Sequence, residues 1–71
     1  MDKPDISQQT HLIRQLKDDM RGKIEPEYLD GDKLYDMTTK ITIKQYKYIL
    51  ALLYNKKYED IKQFIQYNVT V

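Results

Sequence analysis

A chain of 71 residues without cysteine and with a single histidine has room for one domain, and it excludes disulfides, thiolate metal sites and an ordinary zinc centre. Its formal net charge is only +1, and acidic residues are interleaved with the cationic ones, which disfavours binding at a membrane surface. A chain this short buries only about 60% of its unfolded surface, so close helix packing, self-association or a partner must supply stability.

The amino-terminal segment does not have the pattern of a secretory signal. It reads MDKPDISQQTH, which opens with acid and proline and lacks an apolar core. The longest apolar run, residues 48–54, is far shorter than the roughly 20 residues needed to span a bilayer. These features predict a cytoplasmic protein. Lysine, isoleucine and tyrosine are abundant, and their AT-rich codons favour a low-GC genome, a phage or a mobile element as the source.

Charge is distributed unevenly along the chain. Residues 1–36 carry six basic and nine acidic side chains, whereas residues 37–71 carry six basic and two acidic ones. This asymmetry predicts a partner that is guided electrostatically, or two copies of the chain that associate head to tail as a homodimer.

The first predicted helix covers about residues 6–22. Asp5 and Gln8 have the spacing of a capping box at its start. Gly22 is suited to a left-handed stop, and Pro26 disfavours continuation of the helix. The predicted apolar stripe consists of Ile6, Leu12, Ile13, Leu16 and Met20.

The acidic linker, about residues 23–41, allows two interpretations. Asp30 and Gly31 lie between two short apolar pieces, as in a tight β-hairpin turn. Neither flank alternates for long enough to make a convincing strand, however. We therefore favour a loop that leads into a short helix capped by Asp30 or Asp32.

A second helix is predicted for about residues 43–54. Thr42 and Gln45 form another capping box at its start, and Asn55 is suited to its end. Apolar side chains fill roughly 240° of its circumference, more than twice the arc of an ordinary surface helix. This helix must therefore be covered on two sides. Either the first and last helices cover it completely, or the side that carries Tyr48 and Leu52 stays open as a contact surface.

The last predicted helix covers about residues 58–67 and follows a short turn at Lys56 and Lys57. Its apolar stripe is Tyr58, Ile61, Phe64 and Ile65. The final residues, YNVTV, are strand-like but too few to stand alone, so we expect them to fray. The chain is thus predicted to be a single all-α domain, a small three-helix bundle with a short extra helix or turn in the acidic linker.

The sequence has few residues suited to a catalytic or metal site. Ser7 and His11 lie one helical turn apart, but the sequence supplies neither an orienting third group nor an oxyanion site. The acidic stretch around Asp30 and Asp32 lacks the glycine position and final glutamate of a calcium-binding loop. We therefore predict no enzyme activity, no catalytic residue, no metal and no cofactor.

The favoured function is a small protein-binding module, regulatory or inhibitory, of the type found among phage or mobile-element accessory proteins. It would dock the tyrosine and leucine side of the 43–54 helix into an acidic-rimmed hydrophobic groove of its partner. The predicted contact residues are Tyr48, Leu52, Lys44, Lys47, Lys56 and Lys57.

The alternative function is a small dimeric helix-turn-helix regulator that binds DNA through the 58–67 helix. The two last helices and their short turn have that layout, and the nearby cations are Lys56, Lys57 and Lys62. Its weakness is that Glu59 and Asp60 at the start of the recognition helix would face phosphates.

Overall fold

The protein is an all-α helical bundle. The structure is a computed structural model that describes the backbone of residues 3–70 and the side chains of residues 3–68. No β-strand occurs within the described backbone, which confirms the predicted all-α bundle, and the extra helix expected in the acidic linker is present as a ten-residue α-helix. The helices are α1 (Ile6–Met20), α2 (Gly31–Lys40), α3 (Ile43–Tyr54) and α4 (Tyr58–Thr70), and a 3-10 turn at Pro26–Leu29 precedes α2.

Helix α1 begins as predicted and ends two residues early. The Asp5 carboxylate accepts the Gln8 amide at 2.8 Å, and the Gln8 side chain accepts the Asp5 amide at 3.0 Å. The chain leaves the helix after Met20, and Gly22 takes the left-handed φ of +78°. Ile6 corrects the predicted stripe because it is 79% exposed. It lies about 120° around the helix from the buried Leu12.

Helix α2 lies within the predicted acidic linker. The Asp30 side chain accepts the amides of Asp32 at 2.8 Å and Lys33 at 3.3 Å, so the favoured loop and capped helix are correct and the hairpin is not. Leu34 and Met37 are fully buried in the core. The linker therefore contributes core side chains as well as a connection.

Helix α3 has the predicted bounds and both predicted end signals. The Gln45 amide donates to the Thr42 hydroxyl at 3.1 Å, and the Thr42 amide donates to the Gln45 side chain at 2.9 Å. At the other end, the Asn55 amide donates to the Ala51 carbonyl at 3.0 Å.

Helix α4 starts at Tyr58 as predicted but continues to Thr70, beyond the predicted end at residue 67. The expected fraying of the last five residues stays a prediction, and Val71 lies outside the described residues. Within this extension the Asn68 side chain donates to the Phe64 carbonyl at 2.9 Å.

The helices surround one core, in which each helix packs against two principal neighbours. Helices α1 and α4 both pack against α2 and against α3. Helix α3 is therefore covered on two sides, as its wide apolar arc predicts. The core residues are Leu12, Leu16, Met20, Ile24, Leu34, Met37, Ile41, Tyr46, Ile49, Leu52, Leu53, Ile61 and Ile65.

Candidate functional site

The candidate site is the outer face of α3, the side that neither neighbouring helix covers. Its spacing of three or four residues places its members within about 120° of the helix circumference. The remaining arc of about 240° matches the apolar arc seen in the sequence. The outer face consists of Lys44, Lys47, Tyr48, Ala51 and Tyr54, all of them exposed.

Leu52 does not belong to this face, which corrects the predicted contact set. Its side chain is only 9% exposed and belongs to the core cluster. Leu52 lies four residues after Tyr48, and four residues advance the helix by 40° beyond a full turn. That rotation is enough to move Leu52 from the exposed edge into the core, so it cannot offer its side chain to a partner.

Two tyrosines mark the edges of the outer face. Tyr48 is 52% exposed, and its ring lies 6.1 Å from the ring of Phe64 on α4 with an interplanar angle of 47°. This tilted contact holds one side of the Tyr48 ring against the bundle while the other side stays accessible. Tyr54 is 88% exposed at the end of α3. Both rings therefore offer apolar area to a second molecule.

The charge of this region has one sign. Four lysines and no acidic residue occur between residues 43 and 57, and in the described part of the chain none of the four forms a salt bridge. Lys44 and Lys47 lie on the outer face, and Lys56 and Lys57 lie in the turn that follows it. The Lys57 amide donates to the Leu52 carbonyl at 2.9 Å, which ties the turn back to α3. All four predicted lysines are thus exposed, two on the outer face and two in the turn at its carboxyl end.

Ala51 and Tyr54 are members of the outer face that the sequence prediction omitted. Both lie on the same helical side as Lys44 and Lys47, a placement available from 100° per residue alone. The sequence prediction selected contact residues by their apolar or cationic character, without first defining which side of the helix stays uncovered.

Lys62, a cation of the DNA-binding alternative, is directed elsewhere. Its ammonium lies 3.1 Å from a carboxylate oxygen of Glu25 and 5.9 Å from the centre of the Tyr28 ring. The backbone amide of Glu25 and the Lys62 ammonium hold the pKa of this carboxyl below 4.5. The same hydrogen bond raises the pKa of Lys62. Lys62 on α4 therefore contacts the 3-10 turn and does not lie on an open surface available to DNA.

Removal of this ammonium should shift the titration of Glu25. In Lys62→Met the pKa of Glu25 should rise toward 4.5 without reaching it, because the larger cause, the Glu25 backbone amide, remains. Carboxyl titration by NMR measures this, and Lys57→Met is the matched control that should leave Glu25 unchanged. Glu25 has a lower pKa in the folded protein than in the unfolded chain. Its ionised carboxylate therefore stabilises the fold above about pH 4.5, and this stabilisation is lost as the pH falls through the lowered pKa. An unchanged Glu25 pKa in Lys62→Met would show that the pair does not form in solution.

The other polar candidates are dispersed. Ser7 and His11 are exposed on α1, and Asp30 is occupied as the cap of α2. Within the described residues, no cluster of three or more His, Cys, Asp or Glu side chains is placed to hold a metal ion. None of the helices in the described chain is both long and apolar enough to cross a membrane.

No protein-family model, curated protein or solved structure matches this chain.

Proposed function

We propose that this protein is a small binding module, regulatory or inhibitory, that presents the outer face of α3 to an acidic protein partner. The observation that carries the proposal is the exposure of Tyr48 and Tyr54 on a helix face whose only charged residues are lysines. Tyrosine rings supply large contact area at low entropic cost and are enriched at protein interfaces.

The spacing of the face favours a helix laid into a groove. Positions 44, 47, 48, 51 and 54 follow the three-and-four pattern by which helices present anchors to a partner. Tyr48 and Tyr54 are six residues apart, which separates them by about 9 Å along the helix axis. Ala51 lies between them and carries only a methyl group, so a partner can approach the helix closely there. The partner we infer has two shallow apolar recesses about one and a half helical turns apart.

The lysines define the charge of the partner. With no acid between residues 43 and 57, the region attracts a surface rich in aspartate and glutamate. Such attraction increases the association rate and weakens as salt is added. The mechanism we propose is steric: α3 occupies the groove of the partner and blocks another molecule from it.

The test begins with identification of a binder from nuclease-treated host lysate and continues with the purified pair. Tyr48→Asp and Tyr54→Asp should each weaken binding by about 30-fold or more, the loss typical of a hot-spot residue. Tyr35→Asp is the matched control, since Tyr35 is 55% exposed but lies on α2. Calorimetry measures the affinities, and circular dichroism should show unchanged helicity in all three variants.

Three outcomes would reject the proposal. Retention of duplex DNA when nuclease is omitted would favour the helix-turn-helix alternative. The DNA affinity should then fall steeply as salt is added, and it should also fall in the Lys56→Gln and Lys57→Gln variants. Sedimentation that shows a dimer, which Tyr48→Asp converts to a monomer, would favour self-association through the outer face. Equal affinities of Tyr48→Asp and Tyr35→Asp would exclude the outer face as the binding surface of any partner found.

A further inference from the structure

A cavity of about 330 Å³ lies at the carboxyl end of α1, away from the outer face of α3. Its volume is at the lower end of the range for small-molecule pockets. The turn after α1 shapes it, because the amides of Lys23 and Ile24 both donate to the Met20 carbonyl, at 2.8 and 3.3 Å. The cavity is lined by Lys17, Arg21, Gly22, Ile24, Pro26 and Leu29.

The apolar part of the lining is held by the fold. Ile24 is 8% exposed and belongs to the core cluster, and Leu29 packs against that cluster while remaining partly accessible. Pro26 opens the 3-10 turn with a φ fixed by its ring. Ile24 and Leu29 are therefore fixed by the core, and the exposed Pro26 extends the apolar lining beside them.

Two cations complete the lining. Lys17 lies in the last turn of α1 and Arg21 directly follows the helix, and both side chains border the cavity. Lys17 also reaches the start of α2, since its ammonium lies 3.3 Å from the point where a Cβ on Gly31 would be. Gly31 leaves the space that this lysine needs.

Asp18, Asp19 and Glu27 are the nearest acidic residues in sequence; all three are exposed, and none forms a salt bridge with Lys17 or Arg21 within the described residues. Two further acidic residues near the lining are engaged elsewhere. Glu25 pairs with Lys62, and Asp30 accepts amide hydrogens at the start of α2. Within the described residues neither Lys17 nor Arg21 forms a salt bridge. Positive charge suits the negative end of the α1 dipole, but the dipole does not explain why both cations border an apolar recess. The recess is therefore complementary to an anion with an apolar body.

We propose that this cavity binds a small organic monocarboxylate. The planar guanidinium of Arg21 can hold both carboxylate oxygens, and the Lys17 ammonium supplies a second positive charge. The apolar body of the ligand then packs on Ile24, Pro26 and Leu29. A compact body is required by the volume of about 330 Å³.

The experiment is an amide NMR titration of the full chain with phenylacetate. We expect saturable shifts in residues 17–29 and at Gly31, with residues of the outer face of α3 unaffected. Phenylacetamide has the same shape without the charge, and inorganic phosphate has charge without an apolar body. Both should bind about tenfold more weakly than phenylacetate or worse. Phenylacetamide lacks the charge that the two cations bind, and phosphate lacks the apolar body that the cavity wall contacts.

Variants separate the site from general charge. Arg21→Gln should weaken phenylacetate binding by about tenfold or more, whereas Arg14→Gln, the same change two turns earlier on α1, should not. Lys17→Met provides a second test of the cation pair if Arg21→Gln alters the amide spectrum of the free protein. The proposal is overturned by unsaturable shifts, by equal binding of either comparison compound, or by equal effects of Arg21→Gln and Arg14→Gln.

Discussion

Replacement of Leu52 by alanine should lower the free energy of unfolding by about 2–5 kcal/mol, the usual cost of emptying a buried leucine site. Leu52 is 9% exposed and packs in the core of the bundle. A domain of 71 residues has a total stability of only about 4–10 kcal/mol. The variant should therefore be partly unfolded at moderate temperature.

Tyr48→Ala is the matched comparison from the same helix, one turn earlier. Tyr48 is 52% exposed and loses mainly its ring contact with Phe64, so the expected cost is about 1 kcal/mol. Urea unfolding followed by circular dichroism measures both values. A loss at Tyr48 as large as that at Leu52 would make Tyr48 a core residue and remove an anchor from the proposed binding face.

Local chemistry predicts the two α-helices that carry capping boxes. Asp5 with Gln8, and Thr42 with Gln45, satisfy the first amides of α1 and α3 through contacts three residues apart. Such contacts depend on sequence spacing alone, so they can be found without knowledge of the fold. The same holds for Gly22, whose positive φ is one that glycine adopts without steric cost.

Features that depend on neighbouring helices are less accessible to sequence reasoning. Tyr48 and Leu52 have similar apolar character and belong to the same side of the helical wheel, yet Leu52 is 9% exposed in the core whereas Tyr48 is 52% exposed at its edge. The cavity at the end of α1 is likewise formed by segments that the turn at Gly22 brings together. In both cases the deciding quantity is the position of a second element, which no single helical pattern contains.

The acidic linker illustrates the same limit. Asp30 followed by Gly31 fits a hairpin turn and a helix cap about equally well by local criteria. What selects the helix is the burial of Leu34, Met37 and Ile41, all fully enclosed. Their spacings of three and four residues match a helix, but α2 has only ten residues, which is too short to be stable in isolation. Its stability must come from packing against α1 and α4.

Leu34→Ala should for this reason lower the free energy of unfolding by about 2–5 kcal/mol. Leu34 is fully buried, whereas its neighbour Tyr35 is 55% exposed. Tyr35→Ala should change stability by about 0.5 kcal/mol or less, as surface substitutions usually do. Urea unfolding of the two variants supplies the comparison. Because α2 packs against both α1 and α4, the loss at Leu34 should appear in one cooperative transition of the whole bundle rather than as local melting of α2.

Amide hydrogen exchange distinguishes cooperative unfolding of the whole bundle from local unfolding of α2. If α2 unfolds only with the bundle, its core amides should exchange with the same opening free energy as those of α3, and Leu34→Ala should lower both equally. Faster exchange confined to α2, with α3 unchanged, would show that α2 is a separately opening segment. The bundle would then rest on α1, α3 and α4, the three helices that the sequence predicts with the clearest apolar stripes.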